Sequence, residues 1–326
     1  MARLSRYRWG LSASGAIRGV LKTRRQVLAA TAGFAAAGTV RLGFGQPAGQ
    51  RLDVTELGHD LLLVAGAGAN VVALGTPEGA LLVDGGAAAH AAALQRALAE
   101  RWPDRPVRIL FNTNWREEHT GANQAVRAAG GRILAHENTK LWLAGDFFVD
   151  WEGRHYAPRS AAMLPNETFY TSGSLELGGR HVEYWHLPRA HTDGDVAVYV
   201  PDANVLVASD LLSVGRYPVP DYATGGWIGG LREASMALLA KTDARTRIVA
   251  AEGAVCGRAE LEAQLELCTA VTQKAAEAFR AGASLADFMA SKPTAAFDAQ
   301  RGDPETFLKL VYKGGFAHLR ELGGVI

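Results

Sequence analysis

From Leu52 onward, apolar residues come in short runs separated by Gly-bearing turns: DLLLVAGAG, ANVVALGTPEG and ALLVDGG. Val71, Val72 and Leu74, then Leu81, Leu82 and Val83, are strand-length runs of β-branched or apolar residues, and Pro77 with Gly79 marks a hairpin between them. The opening therefore reads as antiparallel strands. AAAHAAALQRALAERW follows as an amphipathic helix, with Leu94, Leu98 and Trp102 on one face. After a further strand at Ile109-Leu110-Phe111 come a helix (NQAVRAAGG), a strand (RILAHE, with His136 at its end) and a short helix (NTKLWLAGD).

A second strand-rich stretch comprises SLELGG, RHVEYWHLP, DVAVYVP and NVLVASD, then a helix (GLREASMALLAKT), a strand (TRIVAAEG) and helices from Arg258 on. Strand-rich, helical, strand-rich, helical is an α+β pattern of two sheets packed face to face with helices outside. Residues 146–170, aromatic and irregular with Pro158 and Pro165, predict a long loop over the site. Alternation along 180–186 puts His181 and His186 on opposite faces, so they are not a ligand pair.

Composition narrows the partners. The 326 residues are 48% hydrophobic, enough for a sizeable core, and 34 basic against 33 acidic residues leave a net charge of +1. That balance gives no electrostatic case for nucleic acid or anionic lipid and favours a small-molecule substrate or ligand. Cys256 and Cys268 are too few for a disulfide scaffold and lack zinc-knuckle spacing.

Residues 1–50 differ from the rest. Arg3, Arg6, Arg8, Arg18, Lys22, Arg24 and Arg25 precede an apolar run of small residues, VLAATAGFAAAGTV, and no acid precedes Asp53. A basic region, a mildly apolar core and a small-residue exit predict an export signal and linker, with residues 51–326 as the folded domain. Thr23-Arg24-Arg25-Gln26-Val27-Leu28 resembles the twin-arginine motif, which predicts a periplasmic or exported protein. The run is too short and too rich in Ala and Gly for a membrane span, so no stable insertion follows signal removal.

The candidate chemistry concentrates in ILFNTNWREEHTGAN, residues 109–123. An apolar strand there ends in Asn112, Thr113, Asn114, Arg116, Glu117, Glu118 and His119, and then meets Thr120-Gly121. The stretch resembles the metal-binding loop of the metallo-β-lactamase-fold hydrolases, His-x-His-x-Asp-His between a strand and Thr-Gly. VDGG, AHTDGD, ASDLL and the strand before Glu252 resemble further family segments, in family order. The resemblance implies a four-layer αββα sandwich and a hydrolase of esters, lactones, thioesters or amides.

Carried over residue by residue, the resemblance implies altered metal sites. Asn114, Arg116 and His191 stand for the first ligand trio; Glu118, His119, Asp210 and Glu252 stand for the second set. Arginine has no lone pair to give, so a standard dinuclear zinc centre is excluded. The second set is oxygen-rich and of competent ligand types, shifting preference from zinc toward manganese, iron or magnesium. Two arrangements stay open: one divalent ion (Zn, Mn or Fe), or none, with Arg116 in the vacated position paired with Glu118 or Asp210. With a metal, bound water or Glu118 is the base and Arg116 holds a substrate anion or oxyanion, with Asn114 beside them. The alternative is an inactive member, a pseudoenzyme binding an acidic small ligand through Arg116. Asp84, at a strand end, either braces a metal ligand as in the family or caps the following helix.

Overall fold

The computed structural model describes residues 52–321; the export-like leader lies outside them. The described chain runs β1 (Asp53–Gly58), β2 (Leu61–Ala65), β3 (Val71–Thr76), β4 (Gly79–Val83), α1 (Ala91–Arg101), β5 (Val107–Asn112), α2 (Glu117–Thr120), α3 (Asn123–Ala128), β6 (Arg132–His136) and α4 (Glu137–Ala144). It continues through β7 (Phe147–Val149), β8 (Arg154–Tyr156), β9 (Glu167–Phe169), β10 (Gly173–Leu177), β11 (Arg180–His186), β12 (Val196–Val200), β13 (Val205–Ser209), α5 (Ile228–Lys241) and β14 (Arg247–Ala250). The remaining helices are α6 (Arg258–Arg280), α7 (Leu285–Ala290), α8 (Asp298–Arg301) and α9 (Glu305–Glu321).

Among the described residues, the strands form a seven-stranded sheet, β1-β2-β3-β4-β5-β6-β9, a five-stranded sheet, β10 to β14 in order, and the β7–β8 hairpin. The apolar runs are buried on both faces, which is why they read as continuous rather than alternating. In β3, Val72 and Leu74 point into the layer between the sheets, where they meet Val182, Val198, Val207 and Val249; Val71 and Ala73 point outward, under Leu94, Leu98 and Trp102 of α1. The second sheet turns Leu206, Ala208 and Ile248 toward Leu231 and Leu238 of α5 and Leu261 and Val271 of α6. The order is helix, sheet, sheet, helix, the expected αββα sandwich.

Residues 146–170 depart from the expected loop. They hold the β7–β8 hairpin and the edge strand β9, which pairs in parallel with β6. Their strands are three residues long, too short for a period to show. The hairpin is anchored by its own small aromatic core: Trp115 packs edge-on against Phe147 and Tyr156, at 5.1 and 4.8 Å between ring centres.

Two features gather the site. The first sheet changes from antiparallel to parallel at β4, and the register β4–β5–β6 aligns Val83 with Phe111 and Phe111 with Leu134. The residues just past these strands therefore emerge at one edge, the usual place for a site in parallel sheets. β13 and β14, also parallel, bring Ser209 level with Ala250. Asn70 stitches the two halves: its backbone N–H donates to the Ala251 carbonyl (2.7 Å), and its side-chain amide donates to the carbonyls of Ala250 (3.0 Å) and Gly253 (2.9 Å).

Candidate functional site

At this edge the best-held residue is His119. Its ring is fully buried, with Nδ1 2.8 Å from Asp84 Oδ2 and Nε2 2.7 Å from Asp210 Oδ2. A carboxylate at each nitrogen asks for a proton at each nitrogen. Burial opposes the charge, but Asp84 and Asp210 outweigh it and hold the His119 pKa well above its ordinary value. Asp84 also accepts from the Thr113 backbone N–H (2.9 Å), Thr113 Oγ1 (2.9 Å to Oδ2) and Ser209 Oγ (3.0 Å). Asp84 and Ser209 both adopt left-handed backbone, φ 65° and 48°, a local cost repaid by the contacts their side chains make. Of the two uses open for Asp84, the structure takes bracing: it supports His119 from behind and caps no helix.

Asp210 is the junction. Its Oδ2 receives His119 Nε2 and Asn114 Nδ2 (2.9 Å), and His191 Nε2 stands 3.8 Å away. Burial would raise the Asp210 pKa, yet the charged His119 beside it drives it far below the carboxylate range. The orientation of Asn114 follows from its neighbour: the Arg116 backbone N–H donates to Asn114 Oδ1 (2.9 Å), which leaves the NH₂ to face Asp210.

His191 lies in the Ala190–Asp195 loop. Its Nδ1 donates to the Val219 carbonyl at 2.6 Å; in the neutral tautomer that this bond selects, Nε2 carries the lone pair. Nε2 is buried and has no hydrogen-bond partner among the described residues. The loop is tightened by Asp195, which accepts from the Thr192 backbone N–H and hydroxyl at 2.8 Å each; burial pushes the Asp195 carboxyl up to about 7.

Arg116 differs from expectation. Its guanidinium donates to Glu152 and to Asp221 Oδ2 (3.0 Å), not to Glu118 or Asp210, and it lies 4.7 Å from the Trp115 ring centre and 5.3 Å from that of Trp151. With both carboxylates in contact and 5% of the residue exposed, it is not free to take a substrate anion. Burial works against its charge, and Asp221 and Glu152 more than restore it. Glu152 comes from the hairpin turn and Asp221 from the loop after β13, so neither partner could be read from strand pattern.

The remaining expected residues separate. Glu118 is half-buried on α2 with no hydrogen bond or ion pair among the described residues. Glu252 does not join the cluster: it is largely exposed and paired with Arg216 at 2.5 Å, because the chain turns outward at Gly253, φ 92°. His181 pairs with Glu176 on the surface, while His186 stacks on His136 at 3.7 Å between ring centres, in agreement with opposite faces.

The donor set does not fit a family metal centre. Asn114 turns its NH₂ group, not its oxygen, toward Asp210, and Arg116 offers only donors. Both His119 nitrogens are spent on carboxylates, and Glu252 faces solvent. Among the described residues no three His, Cys, Asp or Glu side chains are grouped to hold an ion. Asp221, Glu152, Trp151, Val219 and Ser209 were not singled out by sequence reasoning. The one available signal was the Asp in VPDYATGG, a turn-forming residue followed by Thr and Gly.

A family model described as the metallo-beta-lactamase superfamily matches residues 65–251. The 2,4-dinitroanisole O-demethylase subunit alpha of Nocardioides sp. (strain JS1661) is 28% identical over 198 residues, 60% of this chain and 55% of that protein. The probable metallo-hydrolase YqgX of Bacillus subtilis (strain 168) is 31% identical over 111 residues, 34% of this chain and 51% of that one. The chain thus spans about half the length of the curated relatives it matches. Among solved structures, a metallo-beta-lactamase from Pontibacter korlensis superposes with TM-score 0.54 at 19% identity, covering 67% of this chain and 99% of that one. The DIM-1 metallo-beta-lactamase superposes with TM-score 0.54 at 14% identity, covering 68% and 98%. At these identities the likeness concerns the fold.

Proposed function

The chain belongs to the metallo-beta-lactamase superfamily, whose membership implies a hydrolase-like function, and on that premise we propose that it hydrolyses a small ester, lactone, thioester or amide beside Asp210. In this reading His191 takes the proton of the attacking water. The observation that carries it is the His191 ring, with Nδ1 committed to Val219 and Nε2 buried without a partner. An unmet buried acceptor costs about 1–3 kcal/mol, which a water or substrate O–H donating to Nε2 recovers. As water adds to the acyl carbon its proton passes to Nε2, and the charge so formed on His191 faces the Asp210 carboxylate at 3.8 Å. His119 and Asn114 keep that carboxylate ionised and in place. Asn114 Nδ2 has a second N–H for the developing oxyanion. His191 then returns the proton to the leaving oxygen, sulfur or nitrogen as its bond to the acyl carbon breaks.

The acidic-ligand alternative loses its anchor, since Arg116 is held by Glu152 and Asp221. The second form of the hydrolase reading, with one zinc, manganese or iron ion, would need Glu118 to move in beside His191 and Asp210, since among the described residues no three such side chains are grouped to hold an ion. Export to the periplasm through the twin-arginine-like leader belongs to the same reading; among the described residues no helix is long and apolar enough to cross a membrane.

The test is hydrolysis of a panel of nitrophenyl esters, lactones and thioesters by wild type and H191Q. The variant should lose about 10²–10⁴-fold in kcat/KM, the usual share of a general base. An active wild type matched by H191Q would end the reading. Metal content, measured on protein purified without chelator, separates the two forms: about one equivalent, lost in D210A, supports the one-ion form, and less than about a tenth of an equivalent removes it.

A further inference from the structure

We infer that Arg116 is a positioning residue for His191, acting through Asp221. The inference deepens the hydrolase reading and rests on it only for its kinetic arm. Residues 219–227 wrap the His191 loop. The Asp221 backbone N–H donates to the His191 carbonyl (2.9 Å), while the Val219 carbonyl, two residues earlier, accepts the His191 Nδ1 proton (2.6 Å). One short segment thus grips His191 by both backbone and ring. The Trp227 N–H reaches back to the Ala190 carbonyl (3.2 Å), and the Asp193 N–H donates to the Thr224 carbonyl (2.9 Å). At Gly226 the approach is so close that a Cβ would lie 2.0 Å from the His191 carbonyl oxygen. The position of this segment is therefore the position of the histidine.

Asp221 sets that segment. Its carboxylate is fully buried and accepts four donors: Trp151 Nε1 (2.7 Å) and the Ala223 N–H (3.2 Å) on Oδ1, Thr224 Oγ1 (2.7 Å) and Arg116 Nη2 (3.0 Å) on Oδ2. Arg116 supplies the only positive charge in contact with it among the described residues, and its other terminal nitrogen holds Glu152, which also accepts from Tyr156 Oη (2.7 Å). The planar fork of arginine holds two carboxylates from two separate loops on nitrogens set apart at a fixed angle; a lysine would have to draw both to one nitrogen. The side chain that removes a metal ligand by type thus acts as a strut, running from the start of α2 to the loop that carries the His191 acceptor.

The experiment follows the His191 Nδ1 proton, which a short buried bond to Val219 should bring to a slowly exchanging, downfield ¹H resonance in ¹⁵N-histidine-labelled protein, assigned by its loss in H191Q. In R116Q and in D221N the resonance should move upfield or broaden, in R116K it should lie between, and in W151F, which removes only one donor to Asp221, it should move least. Where wild type is active, R116Q should lower kcat about 10–100-fold with KM little changed, the range known for partners that orient functional histidines. An unchanged resonance in folded R116Q and D221N overturns the inference; if R116Q fails to fold, D221N and W151F decide it by the same criterion. A shifted resonance in a protein inactive on every substrate of the panel would sink the hydrolase reading and leave the positioning role standing.

Discussion

Three residues apart on one loop, two cations sit between two carboxylates each: His119 between Asp84 and Asp210, Arg116 between Glu152 and Asp221. In each array the cation and one carboxylate are buried, the other carboxylate is partly exposed, and one negative charge is in excess. They differ in where the carboxylates come from. Asp84 and Asp210 follow the ends of β4 and β13, one strand from each sheet, so their spacing is set by the sandwich itself. Glu152 and Asp221 lie in loops, and their spacing is set by the arginine that joins them. The first array is partly exposed at Asp210 and the second at Glu152, while Trp115 and Trp151 flank the Arg116 guanidinium. The same charge pattern thus recurs once where the scaffold holds the anions and once where the cation must hold them.

The largest effect should come from breaking the His119 array at its deepest member. Asp84→Ala leaves a buried imidazolium short of an anion and orphans Thr113 and Ser209, at a cost of about 3–5 kcal/mol in urea denaturation. Asp84→Asn keeps a residue that tolerates left-handed backbone and isolates the charge, so about 1–3 kcal/mol is expected. A loss below about 0.5 kcal/mol for the alanine variant would mean that the scaffold does not need the pair.

A smaller effect is expected outside both arrays. Burial and the stacked His186 depress the His136 pKa to about 4. Its folded value lies below the unfolded one, so its contribution to stability is present above about pH 6.5 and is lost as pH falls toward 4. In His136→Asn, which keeps an N-cap acceptor for Asn138, the urea midpoint should fall less between pH 7 and pH 5 than in wild type. An equal fall in both proteins would remove His136 as the source. The smallest effect belongs to Glu252→Ala: an exposed pair with Arg216 predicts a change within about 0.5 kcal/mol and unaltered kcat/KM. A large loss of activity in that variant would restore Glu252 to the site.

This contrast also explains what could be read in advance. The sandwich was legible because strands buried on both faces leave long apolar runs, and the site was legible because polar residues crowd the end of β5. Asn114, His119, His191 and Asp210 meet there as their positions implied. Arg116 was recognised as incompatible with a metal, but its partners were not, because Glu152 and Asp221 sit in segments whose course is set by tertiary contacts. Glu252 was misjudged for a related reason: strand alignment says where a residue follows β14, and only the turn at Gly253 says which way it faces.

The three bonds of Asn70 to residues 250–253 bridge 180 to 183 positions of chain. Closing so long a loop is entropically late, since few contacts reward it until both sheets exist. The two sheets whose strand ends bring Asp84 and Asp210 to His119 are joined by that same stitch, so the site should be among the last parts to mature. A nascent chain that ends before residue 250 would lack the acceptors of that stitch although every residue of the His119 array had already been made, so closure of the site is a readable clock for a late folding step.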